Sequence, residues 1–216
     1  MQWIRPGDLC FDIGAHVGNR SAALLAIGAR VIAVEPQPLF ARTLRRIFRS
    51  SHLTMVESAV GASSGRQEML VSTRNPTVST TSPDWAAEVA RSPGFTDTNW
   101  DKRIEVEVTS LDALIVQFGL PAFCKIDVEG AEPEVLRGLS SPIPLLSFEV
   151  LPAVMDRART CLERLGALGN YEFNLVDGEF PRLAFSEWVE RSRLETYLRT
   201  LSPTQRAGEV YAHLAG

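Results

Sequence analysis

The chain has 216 residues, of which 45% are hydrophobic, and a formal net charge of −4 at pH 7. This length suits one domain with a sizeable core, so we expect a single domain over residues 1–216. No apolar run reaches the ~18 residues of a membrane span, and the first residues do not resemble a signal peptide. These features predict a soluble cytoplasmic protein with no membrane partner. The acidic balance also disfavours a nucleic-acid partner, because nucleic-acid affinity depends mainly on Lys and Arg meeting phosphates.

Apolar runs of strand length alternate along the chain with stretches that have helical spacing. Strands are predicted at residues 8–13, 31–34, 53–60, 67–72, 104–109, 122–128, 145–150, 172–176 and 209–214. Helices are predicted up to residue 27, with Gly28 as a C-terminal cap, and at residues 39–48, 111–118, 131–139, 153–168 and about 188–201. This order is typical of a doubly wound α/β fold, with a mostly parallel sheet covered on both faces. Ligands on such sheets bind at the carboxyl ends of strands, so the residues that end strands are the functional candidates.

Residues 73–103 interrupt the alternation with several prolines and two tryptophans, Trp85 and Trp100. A loop of this length inside one domain is usually functional or disordered. The aromatic residues favour a substrate lid, and simple surface packing is the alternative. The three cysteines, Cys10, Cys124 and Cys161, lie in apolar runs, which predicts buried free thiols.

The first predicted strand ends in a glycine turn, Asp12-Ile13-Gly14-Ala15-His16-Val17-Gly18-Asn19. Its glycines allow the backbone to approach a ligand, and the next helix presents its N-terminus there. His16 stands where the dinucleotide fingerprint needs its second glycine, which argues against a nicotinamide cofactor.

Carboxylates end the first two strands. Asp12, directly before the glycine turn, would repel a pyrophosphate but can help to hold a cationic aminoacyl group, directly or through water. Glu35 ends the second strand, where a carboxylate can accept both hydroxyls of a ribose. Together they favour a sulfonium cofactor over a dinucleotide, and a solvated loop acid is the alternative for Glu35 alone.

A strand predicted near residue 125 carries three charged residues. Strand alternation points Lys125, Asp127 and Glu129 to one side, where they need partners or a cleft. They mark a candidate reaction site, and an ion pair between Lys125 and one of the acids is the alternative.

These motifs resemble those of the FkbM-type O-methyltransferases. The residues that carry the resemblance are 12–19, Val34-Glu35-Pro36, Ala59-Val60-Gly61 with Gly65, and above all Lys125-Ile126-Asp127-Val128-Glu129-Gly130-Ala131-Glu132 with Val135, Leu136 and Gly138. The resemblance implies a Rossmann-like class I methyltransferase sheet of seven strands, the last one antiparallel. It also implies S-adenosyl-L-methionine as the cofactor and O-methylation of a hydroxylated small molecule or sugar-containing metabolite.

By matching position, Asp12, Gly14, Ala15 and Gly18 would surround the aminoacyl end, Glu35 the ribose, and Glu57, Ser58 and Ala59 the adenine edge. Asp127 would line the methyl-transfer cavity. The full set expected to bind the cofactor is Asp12, Gly14, Ala15, His16, Gly18, Asn19, Glu35, Pro36, Ser58, Ala59 and Asp127. Many relatives have additional helices before the first strand that cover the cofactor. This domain is therefore expected either to be more open or to have its short N-terminal segment covered by a second copy or a partner.

Methyl transfer to oxygen needs an aligned acceptor and a group that removes its proton. The candidate bases are Asp127, Glu129 and His16, and for His16 the alternative is stacking or capping at the glycine turn. His52 and His213 are expected at the surface or at a strand end. No metal is required, although Asp127, Glu129 and Glu149 could form an all-oxygen site for Mg²⁺ or Ca²⁺.

Three other functions remain open at this point. A non-catalytic protein that binds S-adenosylmethionine would keep the fold without an acceptor cavity. A nicotinamide-dependent oxidoreductase is disfavoured by His16 and Asp12. A nucleic-acid methyltransferase is disfavoured because Asp127-Val128-Glu129-Gly130 differs from the Asn/Asp-Pro-Pro-Tyr motif that acts on base amines.

Overall fold

A computed structural model describes residues 3–92, 94–177 and 182–215. Its strands are β1 (Leu9–Ile13), β2 (Arg30–Val34), β3 (Leu53–Val56), β4 (Ala59–Val60), β5 (Gly65–Val71), β6 (Lys102–Thr109), β7 (Phe123–Ile126), β8 (Leu145–Val150), β9 (Tyr171–Val176) and β10 (Gly208–Leu214). Its α-helices are α1 (Asn19–Ile27), α2 (Pro38–Ile47), α3 (Pro83–Val89), α4 (Leu111–Phe118), α5 (Glu132–Arg137), α6 (Met155–Leu168) and α7 (Arg191–Leu198). Short 3-10 turns cover Pro76–Val78 and Pro152–Val154.

Seven strands form the main sheet in the order β3-β2-β1-β7-β8-β10-β9. All neighbours pair in parallel except β10, which is antiparallel to both β8 and β9. The doubly wound fold with its last strand antiparallel is therefore confirmed. The strand order reverses between β1 and β7, and this reversal opens a crevice at the carboxyl ends of the strands. In the β1–β7 register Asp12 is opposite Lys125, so the two charged residues meet beside that crevice.

Alternate residues of each central strand serve opposite faces of the sheet. In β1, Phe11 and Ile13 join a core built with α4, α5, α6 and α7, whereas Cys10 joins a second core with Leu24 of α1 and Leu44 of α2. All five side chains are at most 1% exposed. Packing on both faces holds the strand ends rigidly at the crevice. The three cysteines are buried and free, as predicted.

The prediction of one strand over residues 53–60 is wrong. The chain leaves the main sheet after β3, and β4 pairs instead with β6 in a separate three-stranded sheet of order β4-β6-β5. The hydroxyl of Ser58 donates to the carbonyl of Glu107 at 2.9 Å, which fixes the break beside β6. Because β3 and β4 are both apolar, the periodicity of the sequence could not show that they belong to two different sheets.

Residues 73–103 form an ordered layer in the part that the structure describes. Trp85 of α3 is 1% exposed and packs edge-to-face against Phe95 and Trp100. The indole N–H of Trp100 donates to the carbonyl of Val78 at 2.9 Å. Trp85 is therefore buried in this layer, and Trp100 packs against it half-buried. No helix in the described ranges has the length and apolarity that a membrane crossing requires.

Candidate functional site

A cavity of about 430 Å³ opens at the carboxyl ends of β1, β2 and β7. Of the sequence-predicted site residues, those that line it are Gly14, Ala15, His16, Asn19, Glu35, Pro36, Ser58, Ala59, Asp127 and Glu129. Asp12, Gly18 and Glu57 are not on its wall. The hydroxylated side chains of Thr77, Ser79 and Thr81 also line it, so the long insertion contributes to the cavity through its small polar residues.

The glycine turn needs its glycines for steric reasons. Gly14 has φ +77°, and a Cβ there would lie 1.8 Å from the carbonyl oxygen of Asp127. Gly18 has φ +88°, and its Cβ would lie 2.4 Å from the Phe48 ring. Gly14 therefore allows the end of β1 to approach the backbone that follows β7. Gly18 acts behind the wall, where it lets α2 approach the start of α1.

Glu35 receives hydrogen bonds from two backbone groups. Its Oε2 accepts the N–H of His16 at 2.9 Å, and its Oε1 accepts the N–H of Gln37 at 2.8 Å. The residue is 3% exposed, and this burial raises its pKa to about 7, against the lowering effect of the two backbone donors. Each carboxylate oxygen keeps a free acceptor position. Glu35 is thus a preoriented acceptor on the cavity wall.

Asp12 lies beneath the cavity and does not line it. Its Oδ2 accepts a hydrogen bond from the Ser21 hydroxyl at 2.6 Å, and its Oδ1 lies 3.8 Å from Nζ of Lys125. The structure therefore places Asp12 behind the cavity wall, and its contact with a cofactor, directly or through water, stays a prediction. Asp12 precedes the last residue of β1 and its side chain bonds to Ser21 of α1, whereas Lys125 lines the cavity.

Lys125 also pairs with Asp127, with 2.9 Å between Nζ and Oδ2. Burial opposes the charge of Lys125, but Asp127 and Asp12 outweigh it and raise the lysine's pKa. The ion pair that was the alternative for this motif is present. It leaves Asp127 accessible, because its side chain keeps 35% of its surface exposed and lines the cavity.

Strand alternation does not explain the position of Glu129. β7 ends at Ile126, and Glu129 follows in a turn with φ +55°. That part of the prediction is wrong, because the turn and not the strand directs Glu129 to the cavity. Asp127, Glu129 and Glu149 each offer a carboxylate oxygen within 4.8 Å of the others. Burial, followed by repulsion from Asp127, raises the pKa of Glu129 and of Glu149 well above the usual range.

His16 lies on the cavity wall with its ring centroid 4.0 Å from that of Phe40, at a tilt of 52°. Burial lowers its pKa, and its Nε2 is a buried atom without a hydrogen-bond partner among the described residues. The ring contact that was the alternative for His16 is thus present. His52 is exposed, and His213 lies in β10 with its ring stacked on Trp188, as predicted for strand-end and surface positions.

A second cavity of about 200 Å³ adjoins the first and shares Arg20, Lys125 and Asp127 with it. Glu149 and Glu209 line this second cavity. Sequence reasoning missed Arg20 and Glu209. Glu209 could have been found from the predicted antiparallel strand at residues 209–214. An antiparallel strand begins at the edge of the sheet where the parallel strands end, so its first residues lie near the site.

Glu209 is held by three donors. Its Oε2 accepts from Arg20 at 2.6 Å and from the Tyr211 hydroxyl at 2.8 Å, and its Oε1 accepts from the Ser147 hydroxyl at 2.7 Å. This network joins α1, β8 and β10 across the floor of the second cavity.

Glu132 provides a pH-dependent contribution to stability. It is 4% exposed, its Oε1 accepts the N–H of Val128 at 2.9 Å, and burial raises its pKa from 4.5 to about 7. Because the pKa of Glu132 is higher in the folded protein than in the unfolded chain, its protonated side chain stabilises the folded protein at pH values below 4.5. This contribution to the free energy of unfolding is lost as the pH rises through about 7. Between pH 4.5 and 7 we expect the free energy of unfolding of the wild type to fall by ~3 kcal/mol more than that of Glu132→Gln.

Urea unfolding at several pH values checks this expectation. Glu105→Gln, at a strongly exposed carboxylate of β6, is the matched control. Part of the decline will remain in Glu132→Gln, because burial also raises the pKa of Glu35, Glu129 and Glu149. Equal pH slopes in the wild type and Glu132→Gln would show that Glu132 does not titrate as described.

Comparison with known proteins gives the family. Residues 12–166 match the family model of the methyltransferase FkbM domain. The chain is 30% identical over 206 residues to 31-O-demethyl-FK506 methyltransferase FkbM from Streptomyces tacrolimicus, covering 85% of this chain and 79% of the relative.

The fold is shared with a solved structure. Precorrin 8w decarboxylase from Methanobacterium thermoautotrophicum superposes with a TM-score of 0.50 at 12% identity, covering 97% of this chain and 83% of the other. Precorrin-6y C5,15-methyltransferase from Geobacter metallireducens has a TM-score of 0.49 at 13% identity, covering 98% and 82% of the two chains. The family match removes the nicotinamide-dependent alternative. The chain belongs to the FkbM family of S-adenosylmethionine-dependent methyltransferases.

Proposed function

We propose that this enzyme transfers the methyl group of S-adenosylmethionine to a hydroxyl of a small, neutral or cationic hydroxylated metabolite, such as one that contains a sugar. The observation that carries the proposal is the pair of adjoining cavities with Asp127 on their shared wall. The larger cavity would hold S-adenosylmethionine and the smaller one the acceptor, so that the two reactants meet at Asp127.

The larger cavity suits S-adenosylmethionine in size and chemistry. Its volume of about 430 Å³ falls in the range of small-molecule sites. Glu35 would accept the ribose hydroxyls through its free acceptor positions. Nε2 of His16, buried without a partner among the described residues, offers a further polar contact. Asp12 would help to position Lys125, which lines this cavity.

S-adenosylmethionine supplies an electrophilic methyl group on a sulfonium. The protein's part is to align the acceptor oxygen at about 3 to 3.5 Å from that carbon and to take its proton. Asp127 lies on the wall that both cavities share, and Glu129 lines the larger cavity beside it. One of these two carboxylates would accept the proton of the acceptor hydroxyl. His16 is a weaker candidate for this role because its ring packs on Phe40.

The charges around the second cavity select the acceptor. Asp127, Glu149 and Glu209 supply three carboxylates, and Arg20 and Lys125 are both already paired with acids. Lys125 and Arg20 are paired with Asp127 and Glu209, so the described wall of this cavity has no unpaired cation to hold an anionic acceptor. Hydroxyl groups can donate hydrogen bonds to the carboxylates. The name of the Streptomyces tacrolimicus relative denotes methylation at an oxygen, which supports a hydroxyl acceptor.

The proposed reaction needs no metal ion. Asp127, Glu129 and Glu149 could bind Mg²⁺ or Ca²⁺ through oxygen, but Lys125 already supplies a cation 2.9 Å from Asp127. We therefore expect methyl transfer to survive thorough EDTA treatment with less than a twofold loss of rate. A loss that added Mg²⁺ restores would contradict this and assign the three carboxylates to a metal.

Labelled methyl transfer tests the proposal. The purified enzyme is incubated with methyl-labelled S-adenosylmethionine and fractionated hydroxylated metabolites, separated into neutral, cationic and anionic pools. We expect label in a neutral or cationic pool as an ether that resists mild alkali. Label confined to the anionic pool would refute the acceptor class. Binding of S-adenosylhomocysteine without any transfer would favour the non-catalytic alternative.

A further inference from the structure

The turn that presents Glu129 has an unusual backbone. Glu129 has φ +55° and Gly130 has φ +89°, so two consecutive residues are left-handed. A residue other than glycine rarely adopts this conformation, and it persists only where the surrounding structure holds it. The contacts that hold this turn therefore decide where the Glu129 carboxylate lies.

The carbonyl groups of this turn are held by side chains from outside it. The hydroxyl of Thr80 donates to the carbonyl of Glu129 at 2.6 Å, and Thr80 is fully buried. Nη1 of Arg157 donates to the carbonyl of Gly130 at 2.7 Å. These donors come from the long insertion and from α6, which are far from the turn in sequence.

Arg157 and Trp85 tie the turn to α3. Arg157 also donates to both carboxylate oxygens of Glu88, at 3.1 and 3.2 Å, and to the Ser82 hydroxyl at 3.2 Å. Trp85 packs on Gly130 so closely that a Cβ there would lie 2.1 Å from its Cγ. Residues 73–103 thus contact the turn through the Trp85 ring and hydrogen-bond to it through Thr80.

We propose that Thr80 and Arg157 are positioning residues that hold the Glu129 carboxylate in the methyl-transfer site. Residues 73–103 then set the geometry of the reaction through the backbone of this turn, in addition to lining the cavity. This inference rests on the proposed function, since it gives Glu129 a role in the reaction. Residues that only stabilise the fold would lower turnover whether or not Glu129 is present. Thr80 and Arg157 would instead affect turnover through the position of the Glu129 carboxylate.

Thr80→Val removes the hydroxyl and nearly preserves the side-chain shape, and Thr80→Ser retains the hydroxyl. We expect Thr80→Val to lower kcat about tenfold, equivalent to ~1.4 kcal/mol of barrier, with the affinity for S-adenosylhomocysteine changed less than threefold. Thr80→Ser should restore most of kcat. Arg157→Lys should act in the same direction, and Arg159→Lys on the exposed side of the same helix should have no effect.

A double-mutant cycle separates positioning from simple destabilisation. In a Glu129→Gln background, Thr80→Val should lower kcat no further. An equal loss of kcat in both backgrounds would overturn the proposal. So would amide hydrogen exchange at residues 129–131 that is unchanged by Thr80→Val, where we expect at least tenfold faster exchange. The exchange measurement needs no acceptor, so it decides the positioning claim even if the wild type transfers no methyl group, which would refute the proposed function instead.

Discussion

Glu35→Ala is expected to weaken the binding of S-adenosylhomocysteine about 100-fold. In the wild type the carboxylate would accept two ribose hydroxyls, and hydrogen bonds to a charged group contribute roughly 1.5 to 3 kcal/mol each. Alanine also leaves the N–H groups of His16 and Gln37 without their acceptor. Glu35→Gln keeps one oxygen and the side-chain shape, so its loss should be smaller, about tenfold. Isothermal titration calorimetry measures both.

The control for Glu35 is a carboxylate remote from the cavity. Glu105→Gln alters an exposed residue of β6 and should leave the affinity unchanged. Unchanged affinity in both Glu35 variants would remove the ribose assignment. A loss in Glu35→Ala alone would mean that Glu35 acts only by ordering the glycine turn.

Asp127→Asn is expected to lower kcat about 100-fold or more while the affinity for S-adenosylhomocysteine changes less than threefold. A general base contributes about 10² to 10⁴ in rate, and an amide of the same shape cannot take the proton. The substitution also weakens the attraction to Lys125, which keeps its second partner Asp12 at 3.8 Å. Steady-state kinetics with the acceptor found by labelled transfer, together with calorimetry, measures the two effects separately.

Asp156→Asn provides the matched control, because Asp156 is 90% exposed and forms an ion pair with Arg159 on its own helix. Affinity and kcat should both stay at wild-type values in this variant. A fall in cofactor affinity as large as the fall in kcat would make Asp127 a binding residue without a part in proton transfer. An unchanged kcat would leave Glu129 as the proton acceptor.

Much of the fold and several strand-end residues could be predicted because they depend on local patterns. The apolar runs of β1, β2 and β7 reflect burial on both faces of a parallel sheet, and the polar residues directly after them fall at its carboxyl edge. Glu35 and Asp127 follow such runs, and both line the cavity. The glycine turn could be read in the same way, since Gly14 allows a close approach that a Cβ would prevent.

The remaining features depend on contacts between distant parts of the chain. Glu35 directly follows β2, whereas Asp12 lies inside β1, where it accepts a hydrogen bond from Ser21 of α1 and is fully buried beneath the wall. The left-handed backbone of Glu129 is held by Thr80 and Arg157, which are 49 and 28 residues away from it. The ion pair between Arg20 and Glu209 spans 189 residues. None of these pairings leaves a periodic signal in the sequence.

The most direct test of the account is a crystal structure of the complex with S-adenosylhomocysteine. We predict the ligand in the larger cavity, both ribose hydroxyls within hydrogen-bond distance of the Glu35 carboxylate, and the sulfur facing the shared wall at Asp127. A ligand whose ribose does not touch Glu35, or whose sulfur points away from the second cavity, would contradict the assignment of both cavities.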